Sequence, residues 1–337
     1  MEKRAVSIYI HIPFCEKKCP YCDFVSFDNK SEREIALYAE NLCQEIKEFN
    51  AESADGVCAS TVFFGGGTPS FIAPYHIKRI LDTIRGTFNV LPSAEITIEC
   101  NPNSLTDKKL AEYKSFGINR ISIGVQSFDN DTLKKLGRTH TAEQAAAAVH
   151  AARKAGFTNI NIDLMHSIPN SALTIRHPEL LNLVTHVSAY ALTPDQVPEA
   201  QSIREQKLVE KMLRANGFKK YEVSNFARPG YECEHNKVYW DPTREYLGFG
   251  TGAHSLFNNK RFSDTESYER TENDIFVETV MLGLRTTRGV SLDILNGKQK
   301  QIEELLKLKL VKITKNRLVA TQKGFFVLNA IIRKLTG

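Results

Sequence analysis

The stretch IHIPFCEKKCPYCDF carries Cys15, Cys19 and Cys22 in a C-x3-C-x2-C pattern. Thiolates are the metal-binding form of cysteine. A structural zinc site closes with four protein ligands, and a cubane iron–sulfur cluster ordinarily takes four thiolates. No fourth cysteine follows nearby. His11 alternates with Tyr9 and Pro13 in a strand pattern, which predicts a packed side chain rather than a ligand. Three ligands leave one metal position open, and an open position separates a site that does chemistry from one that only braces a fold. These residues point to a cluster that binds a small molecule at its free iron.

Further polar residues recur where strands should end. FFGGGTPS places Gly66, Gly67 and Thr68 after a strand, where consecutive glycines let backbone approach a ligand closely. A tight strand-to-helix turn is the plainer alternative. Glu99 closes EITIEC, and a carboxylate buried there needs a cationic or hydroxyl partner. Gln126 follows RISIGV. Arg138, in LGRTH, carries a guanidinium suited to a carboxylate. Asp163, inside NIDLM, is a candidate acceptor for a ribose hydroxyl. Capping or surface polarity accounts for any one of them, but their recurrence at successive strand ends points to a site.

The elements that must position these residues follow from hydrophobic periodicity. Alternation predicts strands at 7–12, 61–67, 95–100, 120–125, 159–165 and 186–192. Helical patterns lie between them, one opening on a Ser31–Glu34 capping box and others closing at Gly117 and Gly156. Such alternation predicts a parallel α/β sheet with ligands at the C-terminal strand ends. It does not separate an open barrel from a doubly wound sheet. Beyond roughly residue 260 helices take over, followed by the short strands LVKIT and RLVAT and a last helix, GFFVLNAIIRKL. This is the pattern of a winged-helix-like module. None of its helices is rich in base-reading side chains, so a packing or lid role is expected rather than DNA binding.

A chain of 337 residues suffices for one large α/β domain and a smaller one. The net charge of +5 is mild, and no lysine–arginine block with interleaved aromatics marks a nucleic-acid binder. The basic run KLKLVKITKNR alternates and reads as the solvated face of a strand. No apolar run reaches the length of a membrane span. The N-terminus enters a strand pattern almost at once, which argues against a signal peptide, and the cysteine count of 7 is odd. A reduced cytoplasmic setting is expected. Cys43, Cys58 and Cys100 are expected as small core residues.

The cysteine spacing is the signature of the radical S-adenosylmethionine enzymes, which this stretch resembles. YIHIPFCEKKCPYCDF, GGGTPS, NPNSL, GVQSF, LGRTH and YEVSNFARPG together resemble the oxygen-independent coproporphyrinogen III oxidase-like (HemN-like) family over nearly the whole chain. The resemblance implies a [4Fe–4S] cluster on Cys15, Cys19 and Cys22. It implies S-adenosylmethionine chelating the free iron, with one-electron C–S cleavage to a 5′-deoxyadenosyl radical. The implied cofactor contacts are Tyr9, Gly66, Gly67, Thr68, Glu99, Gln126, Arg138 and Asp163, and Tyr21 lies near a second cofactor position.

Two features bear on the branch of the family. Phe24 stands where the true oxidases carry a further cysteine. HNKVYW, His235 to Trp240, resembles the HNxxYW haem-binding motif of the HemW-type haem chaperones. That resemblance implies haem, with His235 as axial ligand, Tyr239 and Trp240 as flat walls, and Cys233 as a rival or auxiliary ligand. From these residues alone, a capping histidine with core aromatics is the reading. The implied partners are recipient haemoproteins such as respiratory cytochromes and a reductant such as flavodoxin or ferredoxin. A transient membrane contact and a homodimer are compatible with the mild charge.

The implied architecture is a partial (β/α)6 barrel over residues 1–225, a connecting segment with the haem motif over 226–262, and a C-terminal α+β accessory domain over 263–337. Three functions stay open: a haem chaperone without coproporphyrinogen oxidase activity, a porphyrinogen-oxidising enzyme, and a radical enzyme with another substrate. The chain departs from the family pattern at LMHSIPNSALT, where a glycine-rich loop is usual, and at the short segment TPDQVPEAQSIREQKL. Both bear on the shape of the substrate-side cavity.

Overall fold

A computed structural model describes residues 4–53, 57–169, 178–192 and 197–337. Six strands stand where alternation predicts them: β1 (Arg4–Ile12), β2 (Val57–Gly66), β3 (Asn89–Cys100), β4 (Arg120–Gln126), β5 (Asn159–His166) and β6 (His186–Ala191). Between them run α1 (Glu32–Ser53), α2 (Pro74–Thr87), α3 (Asp107–Ser115), α4 (Asn130–Lys135) and α5 (Ala142–Lys154). The expected capping box opens α1, with Ser31 N–H donating to Glu34 Oε2 at 2.9 Å and Glu34 N–H to Ser31 Oγ at 3.3 Å. Gly117 stops the chain after α3 at φ 87°, a left-handed conformation that side chains disfavour.

β1 to β6 pair in sequence order and all parallel. This order decides between the two folds left open. A doubly wound sheet reverses at a switch point, whereas right-handed crossovers always taken to one side curl the sheet into a barrel. The barrel stays partial. After α6 (Glu199–Ala215), β7 (Lys219–Lys220) and β8 (Asn225–Ala227) add antiparallel to β6 at one edge. At the other edge β9 (Glu245–Phe249) pairs parallel with β1, and β10 (Ser255–Phe257), β11 (Lys260–Phe262) and β12 (Ser267–Glu269) continue antiparallel. Residues 226–262, expected as a connector, are therefore built into the sheet, together with the short helix α7 (Glu234–Tyr239).

The strands alternate in a way that separates two compartments. Ile8, Ile10 and Ile12 of β1, or Ile121, Ile123 and Val125 of β4, pack under the helices in the main core. Their neighbours face the barrel interior and are polar or aromatic, such as Tyr9, Thr61, Arg120 and Asn161. A barrel with a polar lining is built to hold something.

The C-terminal unit comprises α8 (Glu272–Leu284), β13 (Val290–Ser291), α9 (Gln299–Lys307), β14 (Val311–Thr314), β15 (Arg317–Ala320), α10 (Gln322–Phe325) and α11 (Leu328–Thr336). Its core is its own, centred on Leu284, Leu305, Leu318 and Ile331. The single terminal helix expected from GFFVLNAIIRKL is two, broken at Val327, whose ψ of 28° leaves the helical region. The two loop departures fall in part on residues 170–174 and 193–196, which lie outside the described residues. Among the described residues no helix is long and apolar enough to cross a membrane.

Glu278 on α8 ties this unit to the sheet. Its Oε1 accepts from Arg261 Nε at 2.6 Å and its Oε2 from Arg270 Nη1 at 2.9 Å. Burial pushes the Glu278 carboxyl up, but the two guanidiniums outweigh it and hold it below its usual 4.5. Glu278→Ala strands two part-buried guanidiniums and should lower unfolding stability by about 3 kcal/mol in urea denaturation. The wild-type contribution is present above pH 4.5 and is lost as the pH falls through the depressed value, so the gap between variant and wild type should narrow in acid.

Candidate functional site

β1 ends at Ile12, level with Gly66 of β2, so the cysteine loop and the glycine turn leave the sheet side by side. The loop is pinned at its base. Cys15 N–H donates to Phe27 O at 2.9 Å, Phe27 N–H to Pro13 O at 2.7 Å, and His11 Nε2 meets Val25 O at 2.8 Å. His11 is thus a buried brace, as alternation predicts. Cys15, Cys19 and Cys22 all border one cavity of about 580 Å³, a size typical of small-molecule sites. Among the described residues no three His, Cys, Asp or Glu side chains close on a point that would hold a single metal ion.

The glycine turn presses directly on that loop. Gly67 N–H donates to Ile12 O at 2.9 Å and Thr68 N–H to Phe14 O at 2.8 Å. Gly66 has φ +109°, and a Cβ there would lie 2.6 Å from the His11 ring; at Gly67 it would lie 2.9 Å from the backbone of Phe14. Only glycine fits either position.

Thr68 Oγ1 lies 3.6 Å from Cys15 Sγ and accepts from Asn101 Nδ2 at 3.1 Å. Asn101 Oδ1 accepts from Arg138 Nη2 at 2.6 Å, and Arg138 Nη1 lies 3.7 Å from Cys19 Sγ. This arc joins two of the three thiols across the cavity. Arg138 Nε is buried without a partner. Gln126 holds φ 64°, a conformation costing a non-glycine residue roughly 1–3 kcal/mol and kept where a side chain must be aimed. Tyr21 also lines the cavity, against Leu136, Ile168 and Leu192.

Two carboxylates, Glu99 and Asp163, are recessed in the cavity wall. Burial first, then the charge of Asp163, raises Glu99 to about 8; the Gly66 N–H and Arg120 oppose this. Burial likewise raises Asp163, against hydrogen bonds from Asn161 and the Tyr190 hydroxyl, at 2.8 and 3.0 Å. Two recessed acids whose proton affinity stays raised despite Arg120 suit a cationic ligand in the cavity. Tyr9 does not reach the cavity lining. It lies beneath Gly65, bonded to His11 Nδ1 at 3.1 Å. Cys100, expected in the core, is buried there but also borders the cavity. Asn101 was missed, although NPNSL flagged its segment.

The HNKVYW residues are elsewhere. α7 plugs the opposite end of the barrel, and Glu95 caps it by accepting from Glu234 N–H at 3.2 Å and His235 N–H at 3.1 Å. His235 is 1% exposed. Its Nδ1 meets Thr61 Oγ1 at 2.7 Å, its Nε2 meets Tyr239 OH at 2.9 Å, and its ring stacks on Phe63. Burial, then Arg120 and Arg244, lowers it to about 3, so it is neutral. Both ring nitrogens of His235 are thus engaged within the fold, and Tyr239 is one of the two partners. Cys233 is buried with its thiol toward Glu95 at 3.4 Å. Trp240 alone of the proposed haem set is left on the outer side of α7.

A line of hydrogen bonds crosses the interior between the two ends. Tyr221 OH meets His186 Nε2 at 2.8 Å, His186 Nδ1 meets Asn161 Oδ1 at 2.6 Å, and Asn161 Nδ2 donates to Asp163 at 2.8 Å.

Comparison with known proteins places this geometry. The model of the Radical SAM superfamily matches residues 9–173, and that of the HemN C-terminal domain matches 271–327. The chain is 32% identical to the heme chaperone HemW of Lactococcus lactis over 99% of its own length and 98% of that protein. It is 38% identical to the heme chaperone HemW of Escherichia coli, over 74% of this chain and 69% of the relative. The crystal structure of E. coli coproporphyrinogen III oxidase HemN, a radical SAM enzyme, matches with a TM-score of 0.83 at 22% identity, over 100% of this chain and 91% of that one. That last likeness concerns the fold alone.

Two outcomes follow from the placements. In metal-free protein under anaerobic conditions, brief iodoacetamide treatment should alkylate the half-exposed Cys19 and Cys22 well before buried Cys15, Cys43, Cys58, Cys100 and Cys233, as read by peptide mass spectrometry. His235→Ala should cost roughly 2–4 kcal/mol in denaturant unfolding, because it opens a void and strands two hydroxyls. Unchanged stability in that variant would return His235 to the list of free ligands.

Proposed function

The chain belongs to the radical S-adenosylmethionine superfamily, in the HemW-type branch of its HemN-like family, and from that premise we propose that it carries haem and hands it to haem-accepting proteins. The observation that carries the scaffold reading is the single cavity in which three free thiols, a glycine cradle, an incompletely bonded arginine and two recessed acids converge. Those residues fit the implied cofactors. Cys15, Cys19 and Cys22 would hold a [4Fe–4S] cluster and leave one iron open. Gly66, Gly67 and Thr68 offer backbone and a hydroxyl to an ammonium, Arg138 offers its guanidinium to a carboxylate, and Gln126 and Asp163 offer acceptors to hydroxyls. Glu99 and Asp163 supply negative potential for a sulfonium. Tyr9 supports this floor from below. Bound together, these cofactors would supply one-electron chemistry.

The carrier function, rather than the oxidase, is supported by Phe24 in place of the oxidases' further cysteine and by relatives named heme chaperones. Phe24 is 65% exposed at the cavity mouth. Recipients such as respiratory cytochromes, and a reductant such as flavodoxin or ferredoxin, complete the proposal. The proposed division is a barrel over 1–225, a connecting segment over 226–262 and an accessory unit over 263–337; β9 to β12 extend the barrel's sheet as far as Glu269, and the accessory core is built from α8 onward. The deciding experiment incubates reconstituted protein anaerobically with reductant, S-adenosylmethionine and coproporphyrinogen III, and in parallel with haem and an apo-cytochrome. Saturable haem binding and transfer without decarboxylated product are expected; protoporphyrinogen IX without haem binding would restore the oxidase.

The acid pair adds a pH signature. Below about 8 Glu99 holds a proton that a cationic ligand must displace. Binding of S-adenosylmethionine to cluster-loaded protein should therefore tighten as pH rises toward 8 and release a proton, measurable by calorimetry in buffers of different ionisation enthalpy. Glu99→Gln should weaken binding and remove that proton, with the cluster absorbance unchanged. Its groups in view are Asp163, Arg120 and Tyr9.

A further inference from the structure

Strand β4 carries one residue too many at its cavity end. Its pairing with β5 runs in step from Arg120 with Asn159 to Ile123 with Ile162 and resumes at Gln126 with Leu164, so three steps along β4 match two along β5. Bulges are rare between parallel strands and re-aim side chains where they occur. Here the surplus gathers at Gly124, Val125 and Gln126. Ser127 N–H donates to Val125 O at 2.8 Å across Gln126, which holds φ 64°. A three-residue turn with a positive central φ is strained. Two side chains from one short segment hold the bulge. Arg138 Nη2 donates to Gly124 O at 2.9 Å, and His140 Nε2 donates to Val125 O at 3.0 Å. A carbonyl only accepts, so Nε2 carries the hydrogen of His140. Its Nδ1 is buried without a partner, in a residue only 4% exposed. An apolar side chain of that size would fill the space without stranding a nitrogen. The ring is also uncharged: burial first, then Arg138, lowers it to about 4. What sets His140 apart from such a side chain is one N–H at one carbonyl.

We propose that His140 is a positioning residue for the cluster cavity, holding the Val125 carbonyl so that the turn keeps the Gln126 amide aimed at a bound ligand. The assignment rests on the reading of that cavity as the S-adenosylmethionine site. The effect of the turn is visible above Gly124, where a Cβ would lie 3.1 Å from Gln126 Nε2 and 3.3 Å from Arg138 Nη2 and Asn101 Oδ1. The amide and the guanidinium thus stand side by side over a residue without a side chain. Asn101, Gly124, Gln126 and Arg138 all line the cavity, and His140 stands outside that lining. It reaches a ligand only through the strand it grips. Left to itself, the turn would relax by rotating Gln126 to a negative φ, which would turn its side chain out of its present direction. The imidazole opposes that rotation, because Val125 O accepts both the Ser127 N–H that closes the turn and the His140 N–H that fixes the carbonyl's direction. Arg138 and His140 lie two residues apart, so one segment sets both the group offered to a carboxylate and the aim of the amide beside it.

The test measures S-adenosylmethionine affinity on full-length, cluster-loaded protein, by titration calorimetry and by the change in the EPR signal of the reduced cluster. His140→Leu removes the N–H and should weaken binding about five- to tenfold, with the cluster absorbance unchanged. His140→Gln can still donate to Val125 O and should recover most of the loss. Gln126→Ala should weaken binding by a similar factor. The variant carrying both His140→Leu and Gln126→Ala should bind within about twofold of Gln126→Ala, because a residue that acts through Gln126 has nothing left to aim. If the two losses multiply, or if His140→Leu binds as wild type does, the positioning role is overturned while the cofactor reading stands. His140→Gln as weak as His140→Leu would also overturn it, by assigning the effect to ring packing. Should His140→Leu fail to load a cluster, nitrogen NMR of the metal-free wild type decides. The His140 imidazole should keep its proton on Nε2 from about pH 5 to 8, and a ring that exchanges tautomers overturns the role. If wild type does not bind S-adenosylmethionine, the cofactor reading fails and the positioning role with it.

Discussion

Glu99 and Asp163 are acids set into the wall of a protein interior, and the site is arranged around what they lack. Burial raises the proton affinity of both carboxyls, and the charge of Asp163 raises that of Glu99 further. Arg120 opposes this only in part; it lies fully buried, with its Nε 3.9 Å from Glu95. Asn161, Tyr190 and the Gly66 N–H offset part of the cost by hydrogen bonding. Burial still outweighs these contributions, and a cation bound in the cavity would offset what remains. The glycine turn and the Thr68–Asn101–Arg138 arc matter because they keep a space open beside the acids that a side chain would otherwise fill.

The two ends of the barrel follow different rules. At the C-terminal strand ends, loops are held by backbone hydrogen bonds and leave a cavity. At the other end α7 closes the interior, its first N–H groups satisfied by Glu95 and its histidine stacked on Phe63. A histidine buried with two hydroxyl partners stabilises by packing and by hydrogen bonding together. That is why the inner and outer faces of the same short helix carry separate tasks, one closing the vessel and the other bordering a cavity beside the C-terminal unit.

Much of this was legible in the residues. Period-two alternation located all six barrel strands, and the chemistry of three thiols with an open position led to the cavity that also gathers Gly66, Glu99, Gln126, Arg138 and Asp163. Barrel curvature was not legible, because it depends on strand order, a property of crossovers rather than of any one segment. Nor was the pairing of β9 with β1, which joins residues far apart in the chain. His235 shows the harder limit. A ligand histidine and a core histidine are the same residue type; the residues of HNKVYW alone favour a capping histidine with core aromatics, the resemblance favours a ligand, and neither tells that the ring meets Thr61 and Phe63. Asn101 escaped for the opposite reason: it looked like loop polarity beside a proline, and only its contacts to Thr68 and Arg138 give it a role.

The file of side chains from Tyr221 through His186 and Asn161 to Asp163 has a direction. An amide has a fixed donor end and a fixed acceptor end. With its Nδ2 committed to Asp163, Asn161 presents Oδ1 to His186, which must therefore carry its hydrogen on Nδ1 and accept from Tyr221 at Nε2. Burial keeps this imidazole uncharged. Such a file transmits orientation but not protons, because the amide cannot take one on one side and release one on the other. Asn161 is an insulator in the middle of a polar wire. The upper chamber and Tyr221 are thus joined by hydrogen bonds without a path for a proton between them, while the charge of buried Arg120 is still felt by Asp163 on one side and His235 on the other.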